Sequence, residues 1–159
     1  QKKPVSTAWL VEEVGGILEP TLQGKGIEFQ SSVKDVRLEM EPDLMKTVLM
    51  NLLDNGRKAM EGGADPKRLF LIGRPEKDGY AFYVHDTDKG IPAKELSRIT
   101  EAFYMVDKSR ARRQGGAGLG LSICAEIVQR HGGRLSFRSA EGKGTQARVW
   151  LPGKEEEPA

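Results

Sequence analysis

The sequence is poor in cysteine, in long apolar runs and in charge of one sign. A single cysteine, Cys124, stands among 159 residues, which excludes an internal disulfide framework and a zinc site built on several thiolates. No apolar run reaches the roughly 18 to 20 residues that a bilayer span requires. The opening Gln-Lys-Lys-Pro has no apolar stretch of the kind a secretion signal needs. A start at Gln1 rather than Met is expected of a piece cut from a longer chain. The 25 Lys and Arg are balanced by 23 Asp and Glu, a formal charge of +2, so no single-sign field points to nucleic acid or to direct membrane contact. What is present is 38% apolar and 30% charged residues without bias, the make-up of one globular domain with a full core.

Apolar residues at Leu10, Val11, Val14, Ile17 and Leu18 recur every three or four positions and predict a helix over Thr7–Leu22. Alternation over Ile27–Val33 and Val36–Met40 predicts two strands of one sheet. Pro42 opens a second helix, ended near Met60 by Gly62-Gly63. Strands over Arg68–Arg74 and Gly79–Asp86 follow, then a short helix over Pro92–Phe103 and a polar, glycine-rich mobile loop over Tyr104–Gly118. Leu119, Ile123, Ile127 and Val128 mark a last helix closed by His131-Gly132-Gly133. A hairpin pairs Arg134–Ser139 with Thr145–Leu151, and Gly153–Ala159 is expected to be a disordered tail. Helices alternating with strand pairs predict an α+β fold, a two-layer sandwich with a mixed, mostly antiparallel sheet covered on one face by helices.

Three places carry chemistry. In the second helix Asn51, Asn55 and Lys58 fall within a strip of roughly 60°, at the border of the apolar face. Such a border suits a cleft wall; taken alone the stripe equally reads as the solvated edge of an amphipathic helix, but asparagine is a poor interior helix residue, and two at this spacing point toward the cleft. In the strand Tyr80–Asp86, period two puts Tyr80, Phe82, Val84 and Asp86 on one face and His85 on the outer one. A carboxylate ending an apolar row must be paired or stay at the lip of a cleft. Asp86 to Pro92 and Gly115 to Leu121 then bring glycines to helix starts, where backbone N–H groups and the helix dipole suit a phosphate.

In order and spacing, Asn51-Leu-Leu-Asp-Asn55, Asp86-Thr-Asp-Lys-Gly90-Ile-Pro, Phe103-Tyr104 with Val106-Asp-Lys-Ser-Arg110, Gly116-Ala-Gly118-Leu-Gly120-Leu and Gly142-Lys-Gly-Thr145 resemble the successive boxes of sensor histidine kinases. The resemblance runs from about Val5 to Pro152, so residues 1–152 are expected to form that family's ATP-binding catalytic domain, a Bergerat-type fold with nucleotide between helices and sheet under a flexible lid. It implies ATP and magnesium (Mg2+) as ligands, with Asn55 and Asn51 as metal ligands and Lys58 near the phosphates. It makes Asp86 the acceptor for the adenine amino group, with Gly90 and Ile91 shaping the base pocket and Thr145 near the base. Phe103 anchors the lid, Lys108 and Arg110 supply cations, and Gly116, Gly118, Leu119, Gly120 and Leu121 wrap the triphosphate. Asn51, Lys58 and Arg110 are the implied catalytic set. The implied partners are an upstream dimerisation and phosphoacceptor domain, absent from this chain, and indirectly a response regulator. The isolated domain is expected to be a cytoplasmic monomer.

Relatives that hydrolyse ATP carry a glutamate at the position of Asn51. An amide cannot take a proton from water, so slow hydrolysis and transfer by alignment and charge neutralisation are expected. A carboxylate acceptor also rejects guanine, since an unpaired buried polar group costs about 1 to 3 kcal/mol. Neither His85 nor His131 resembles the phosphoacceptor, and Cys124 is expected to be a buried hydrophobe. Three positions depart from the family pattern: Asp88 stands for a glycine, Ala59 for an aromatic that stacks on adenine, and Met105 for an arginine. Two alternatives stay open, a nucleotide-insensitive scaffolding module and a serine kinase of the anti-sigma-factor type.

Overall fold

Among the described residues, alternation and helical periodicity resolve into eleven elements. The computed structural model describes residues 1–63, 65–87, 104–105, 118–140 and 144–153. In order they form β1 (Lys3–Ser6), α1 (Thr7–Gly24), β2 (Ile27–Val33), β3 (Arg37–Met40), α2 (Pro42–Ala59), β4 (Lys67–Glu76), β5 (Gly79–Thr87), β6 (Tyr104–Met105), α3 (Gly118–Arg130), β7 (Arg134–Ala140) and β8 (Gly144–Pro152). Six strands make one sheet in the order β2-β4-β5-β8-β7-β6. Only β2 and β4 run parallel; the other neighbours are antiparallel. The helices lie over one face, as the alternation of the strands requires.

That face holds Leu69, Leu71, Phe82, Val84, Val149 and Leu151, which close the core against Leu10 and Val14 of α1, Leu49 and Leu53 of α2 and Cys124 and Val128 of α3. Gly73 of β4 leaves room there for the Tyr80 ring, whose hydroxyl an added Cβ would meet at 2.5 Å. The Tyr80 hydroxyl donates to the Lys34 carbonyl at 2.6 Å, tying sheet to loop. Among the described residues no helix is long and apolar enough to cross a membrane.

Three expectations need correction. β2 and β3 do not share a sheet: β3 pairs with β1, a strand of residues Lys3–Ser6 that the sequence pattern did not reveal. The connection at Lys34-Asp35 turns out of the sheet because α1 uses it. Asp35 accepts from the Ser6 hydroxyl at 2.7 Å and from Ala8 N–H at 3.1 Å, while Thr7 bridges the Lys34 carbonyl and Val36 N–H. Ser6 also caps α1 by accepting from Trp9 N–H at 3.1 Å. Second, Tyr104 and Met105 are not loop but strand, paired with Ser139 and Arg138 of β7. Third, Gly118 belongs to helix α3, and Gly153 is held to the Asp78 carbonyl at 3.2 Å rather than lying in a loose tail. The expected helix over Pro92–Phe103, the remainder of the glycine-rich loop up to 117, and residues 154–159 lie outside the described residues.

The end of α3 matches its sequence signals. Arg130 stands in the last turn, Gly132 takes φ +73°, and Gly133 N–H and Gly132 N–H return to the Val128 and Gln129 carbonyls at 2.9 Å.

Candidate functional site

A cleft of about 420 Å³, counted to its open mouth, lies between α2, the start of α3 and the strands β5, β7 and β8. Its wall is mostly apolar, from Leu52, Ala59, Val84, Leu121, Phe137 and Ala147, with Asn55, Asp86 and Thr145 as its polar points. This is the composition of a small-ligand site: an apolar slot with few groups that fix orientation.

Asp86 ends the row Tyr80, Phe82, Val84 on the helix-facing side of β5 and is 7% exposed. Strand register sets it opposite Thr145 of β8, whose backbone N–H donates to Oδ1 at 3.3 Å. Gly56 of α2 makes the approach of helix and strand possible: a Cβ there would lie 2.7 Å from Leu69 Cδ1 and 3.4 Å from Asp86 Cβ. Asn55 thereby reaches the same cleft as Asp86, although the two are far apart in sequence.

Asn51, one turn earlier, points at α3. Its side-chain N–H donates to the Thr47 carbonyl at 2.8 Å, and Oδ1 would lie 3.3 Å from a Cβ added at Gly120. A side chain at 120 would press on the Asn51 amide, so glycine lets the first turn of α3 close on α2. Gly118 and Leu119 lie in that same first turn. Lys58 stands apart: its ammonium is 3.4 Å from the Asp54 carboxylate, both 41% exposed, and it is not among the residues that line the cleft.

The sequence-derived set is therefore gathered in part. Asn55, Asp86, Leu121 and Thr145 share one cleft, with Asn51 and Gly120 facing each other beside it. Ala59 also lines it, at the place where the family resemblance sets a ring. Gly90, Ile91, Phe103, Lys108, Arg110 and Gly116, with the divergent Asp88, lie outside the described residues. Sequence reading missed Gly56, whose only signal is a glycine in a helix interior where it lowers helix stability. It also missed the apolar wall from Leu52, Phe137 and Ala147, which strand and helix periodicity marks as core but not as cleft.

The titratable groups outside the cleft are disposed for structure. Cys124 is buried, its thiol pushed up to about 11 by burial, and it contacts the Val48 carbonyl at 3.8 Å; it is no nucleophile at neutral pH. His85 lies on the face away from the helices, as the alternation predicts, but it is fully buried rather than solvated, and burial pushes its pKa down to about 3. Among the described residues no cluster of three or more His, Cys, Asp or Glu could hold a metal ion.

Residues 40–155 match the family model described as histidine kinase-, DNA gyrase B- and HSP90-like ATPase. The sensor histidine kinase WalK of Bacillus subtilis is 40% identical over 126 residues, 78% of this chain and 20% of that protein. The sensor protein kinase WalK of Staphylococcus aureus is 38% identical over 120 residues, 75% of this chain and 28% of that protein. The match thus spans 20% to 28% of the length of these curated relatives. Among solved structures, the mycobacterial sensor histidine kinase MprB superposes with a TM-score of 0.69 at 25% identity, covering 98% of this chain and 99% of that one. The catalytic domain of the histidine kinase ThkA gives 0.69 at 23% identity, over 96% and 95%.

Proposed function

Because the chain belongs to the histidine kinase-, DNA gyrase B- and HSP90-like ATPases, we propose that it is the ATP-binding catalytic domain of a sensor histidine kinase. In this role it transfers the γ-phosphoryl group of ATP to a histidine on a dimerisation domain, from which a response regulator is served. The observation that carries the reading is Asp86, a nearly buried carboxylate at the end of an apolar slot, with one oxygen held by Thr145 N–H and Asn55 in the same wall.

Each residue then has a physical task. The second oxygen of Asp86 accepts from the exocyclic amino group of adenine, and the keto group of guanine meets it with an acceptor against an acceptor. Leu52, Val84 and Phe137 exclude water from the base and raise the weight of that single polar contact. Asn55 and Asn51 hold the phosphate end, and the first turn of α3 turns the positive end of the helix dipole to the negative charge. Magnesium, when bound, neutralises phosphate charge, and the carboxamide oxygens of Asn55 and Asn51 are neutral donors suited to such a hard cation. Asn51 has no basic atom to activate water, so ATP hydrolysis is slow and phosphoryl transfer waits for an acceptor.

The two histidines of this chain support an acceptor elsewhere. His85 is sealed in the sheet, and both ring nitrogens of His131 are engaged by backbone.

Calorimetric titration of the domain with ATP and GTP, with and without magnesium, tests the proposal. Magnesium-dependent binding of ATP and none of GTP is expected, with loss of the magnesium effect in Asn55→Ala. Asp86→Asn weakens ATP by about 10- to 100-fold, the worth of a charge-assisted hydrogen bond. Equal affinity for ATP and GTP, or no binding of either, would sink it.

A further inference from the structure

Helices α2 and α3 run side by side in opposite directions and are held at three levels. At the cleft, Gly120 faces Asn51, whose Oδ1 would lie 3.3 Å from a Cβ added at the glycine. Midway, the Cys124 thiol meets the Val48 carbonyl at 3.8 Å. At the far end, His131, directly after α3, accepts the backbone N–H of Glu41 on Nε2 at 3.0 Å. The other ring nitrogen, Nδ1, lies 2.8 Å from the Ile127 carbonyl. A carbonyl only accepts, so Nδ1 carries the proton and Nε2 keeps the lone pair that takes the Glu41 hydrogen.

Glu41 is the N-cap residue of α2, and its own side chain makes no cap hydrogen bond. Pro42 follows at the first helical position and has no N–H to offer. In a capping box the N-cap N–H is taken by a side chain from the same helix, three residues on. Here an imidazole at the end of another helix takes it. His131 is 4% exposed, so the ring is shielded from bulk water. Asn51 lies ten residues from Glu41 and Gly120 eleven from His131, about 15 and 16 Å of helix. The distal tie therefore fixes the axial position of α3 against α2 at the cleft as well as at its own end.

We infer that His131 is a positioning residue for the nucleotide site: by capping α2 from the end of α3 it sets the distance at which the glycine-rich first turn of α3 meets Asn51. The inference rests on the proposed nucleotide-binding role for its effect on affinity, but not for its effect on the helix pair. Without the ring acceptor, α3 can slide or turn along α2. A displacement of about an ångström at a phosphate-binding turn is enough to change binding and transfer by an order of magnitude or more.

The test uses the whole 159-residue chain, its His131→Leu and His131→Gln variants, and ¹⁵N-resolved NMR beside ATP titration. Glutamine has one acceptor and one donor at comparable reach and can replace both contacts; leucine replaces neither. In the parent protein the ring is expected as the Nδ1–H tautomer, with the Glu41 amide protected from exchange. His131→Leu is expected to shift the amide resonances of Asn51 and Gly120 and to weaken ATP about tenfold, while Tyr83 on the far face of the sheet stays in place. His131→Gln restores both. Unchanged Asn51 and Gly120 resonances in His131→Leu, or a glutamine variant no better than leucine, would overturn the inference, as would an Nε2–H tautomer in the parent. If the parent binds no ATP, the proposed function fails while the resonance shifts still decide the role of His131. If His131→Leu does not fold, the tautomer and exchange measurements with His131→Gln decide it.

Discussion

Two neighbouring residues of β5 are buried polar groups with opposite fates. Asp86 faces the helices, touches a cleft, and has its carboxylate oxygen on the N–H of Thr145. His85 faces the other way, against the Phe70 ring at 5.9 Å between centroids, and has no exposed surface. A strand turns successive side chains to opposite faces, so one residue step separates a carboxylate at the wall of a cleft from an imidazole kept neutral by burial. A cleft lets a carboxylate share its charge with solvent or ligand; a sealed site selects whichever form has no charge.

The largest expected effect tests the sealed side. An unfolded chain takes a proton at His85 below about 6.5, but the folded chain does not until about 3. Between those values the unfolded state binds more protons, so stability falls as pH falls, by up to about 1.4 kcal/mol per pH unit from this group alone. Above 6.5 the contribution is constant. His85→Gln removes the titration, so the stability of the parent relative to the variant, measured by urea unfolding at pH 7, 6, 5 and 4, is expected to fall steadily on acidification. A difference that stays constant with pH would break the contrast with Asp86.

A smaller effect sharpens the same face. Beyond His85 the outer side of the sheet carries Glu76, which accepts from Arg148 at 2.6 Å, from Arg74 at 3.3 Å and from the Tyr83 hydroxyl. Burial alone pushes its carboxyl up, but the hydrogen bonds from Arg148 and Tyr83 outweigh burial and hold it below 4.5. This stability is fully present above 4.5 and is lost as pH falls from there through the lower folded value, a window that opens below that of His85 and overlaps its acid end. Glu76→Gln is expected to cost about 1 kcal/mol at neutral pH, less in high salt, because the network is partly solvated. The slope assigned to His85 is expected to be insensitive to salt. Unfolding curves at low and high ionic strength separate the two.

Period-two alternation and helix signals made β4, β5, β7, β8, α2 and α3 legible from sequence because each carries its own pattern. β1 was not legible: Lys-Pro-Val-Ser has no alternation, and its strand state comes from β3, thirty-odd residues on. The pairing of β3 was misread because a two-residue connection suggests a hairpin, while the hydrogen bonds of Lys34 and Asp35 to the start of α1 decide otherwise. At the site, Asn55, Asp86, Leu121 and Thr145 were legible through their place in an ordered series of motifs. The tie of Lys58 to Asp54 and the burial of His85 depend on which neighbours share a surface, and no local pattern encodes that. His131 was legible as a helix end, but its hold on Glu41 needs three elements brought together.

Two glycines where helices meet the sheet, Gly56 of α2 and Gly73 of β4, give the last and smallest expected effect. Gly56 and Gly73 each leave room for a neighbour, but the neighbours differ. At Gly73 an added Cβ would meet the Tyr80 hydroxyl at 2.5 Å and its ring at 3.1 to 3.2 Å, and that ring is fully buried and bonded to Lys34, so it cannot turn aside. At Gly56 the nearest atom is Leu69 Cδ1, the free end of a flexible side chain, with Asp86 Cβ at ordinary contact distance. Alanine in place of an interior helix glycine gains up to about 1 kcal/mol of helix stability, and turning Leu69 in a packed core takes back a comparable amount. Gly56→Ala is therefore expected to move stability by less than about 1 kcal/mol in either direction, while narrowing the space beside Asp86 and weakening ATP by a few-fold. Thermal unfolding and ATP titration of the same variant separate the two effects. A large loss of stability with unchanged affinity would mean that Gly56 serves the core and not the cleft.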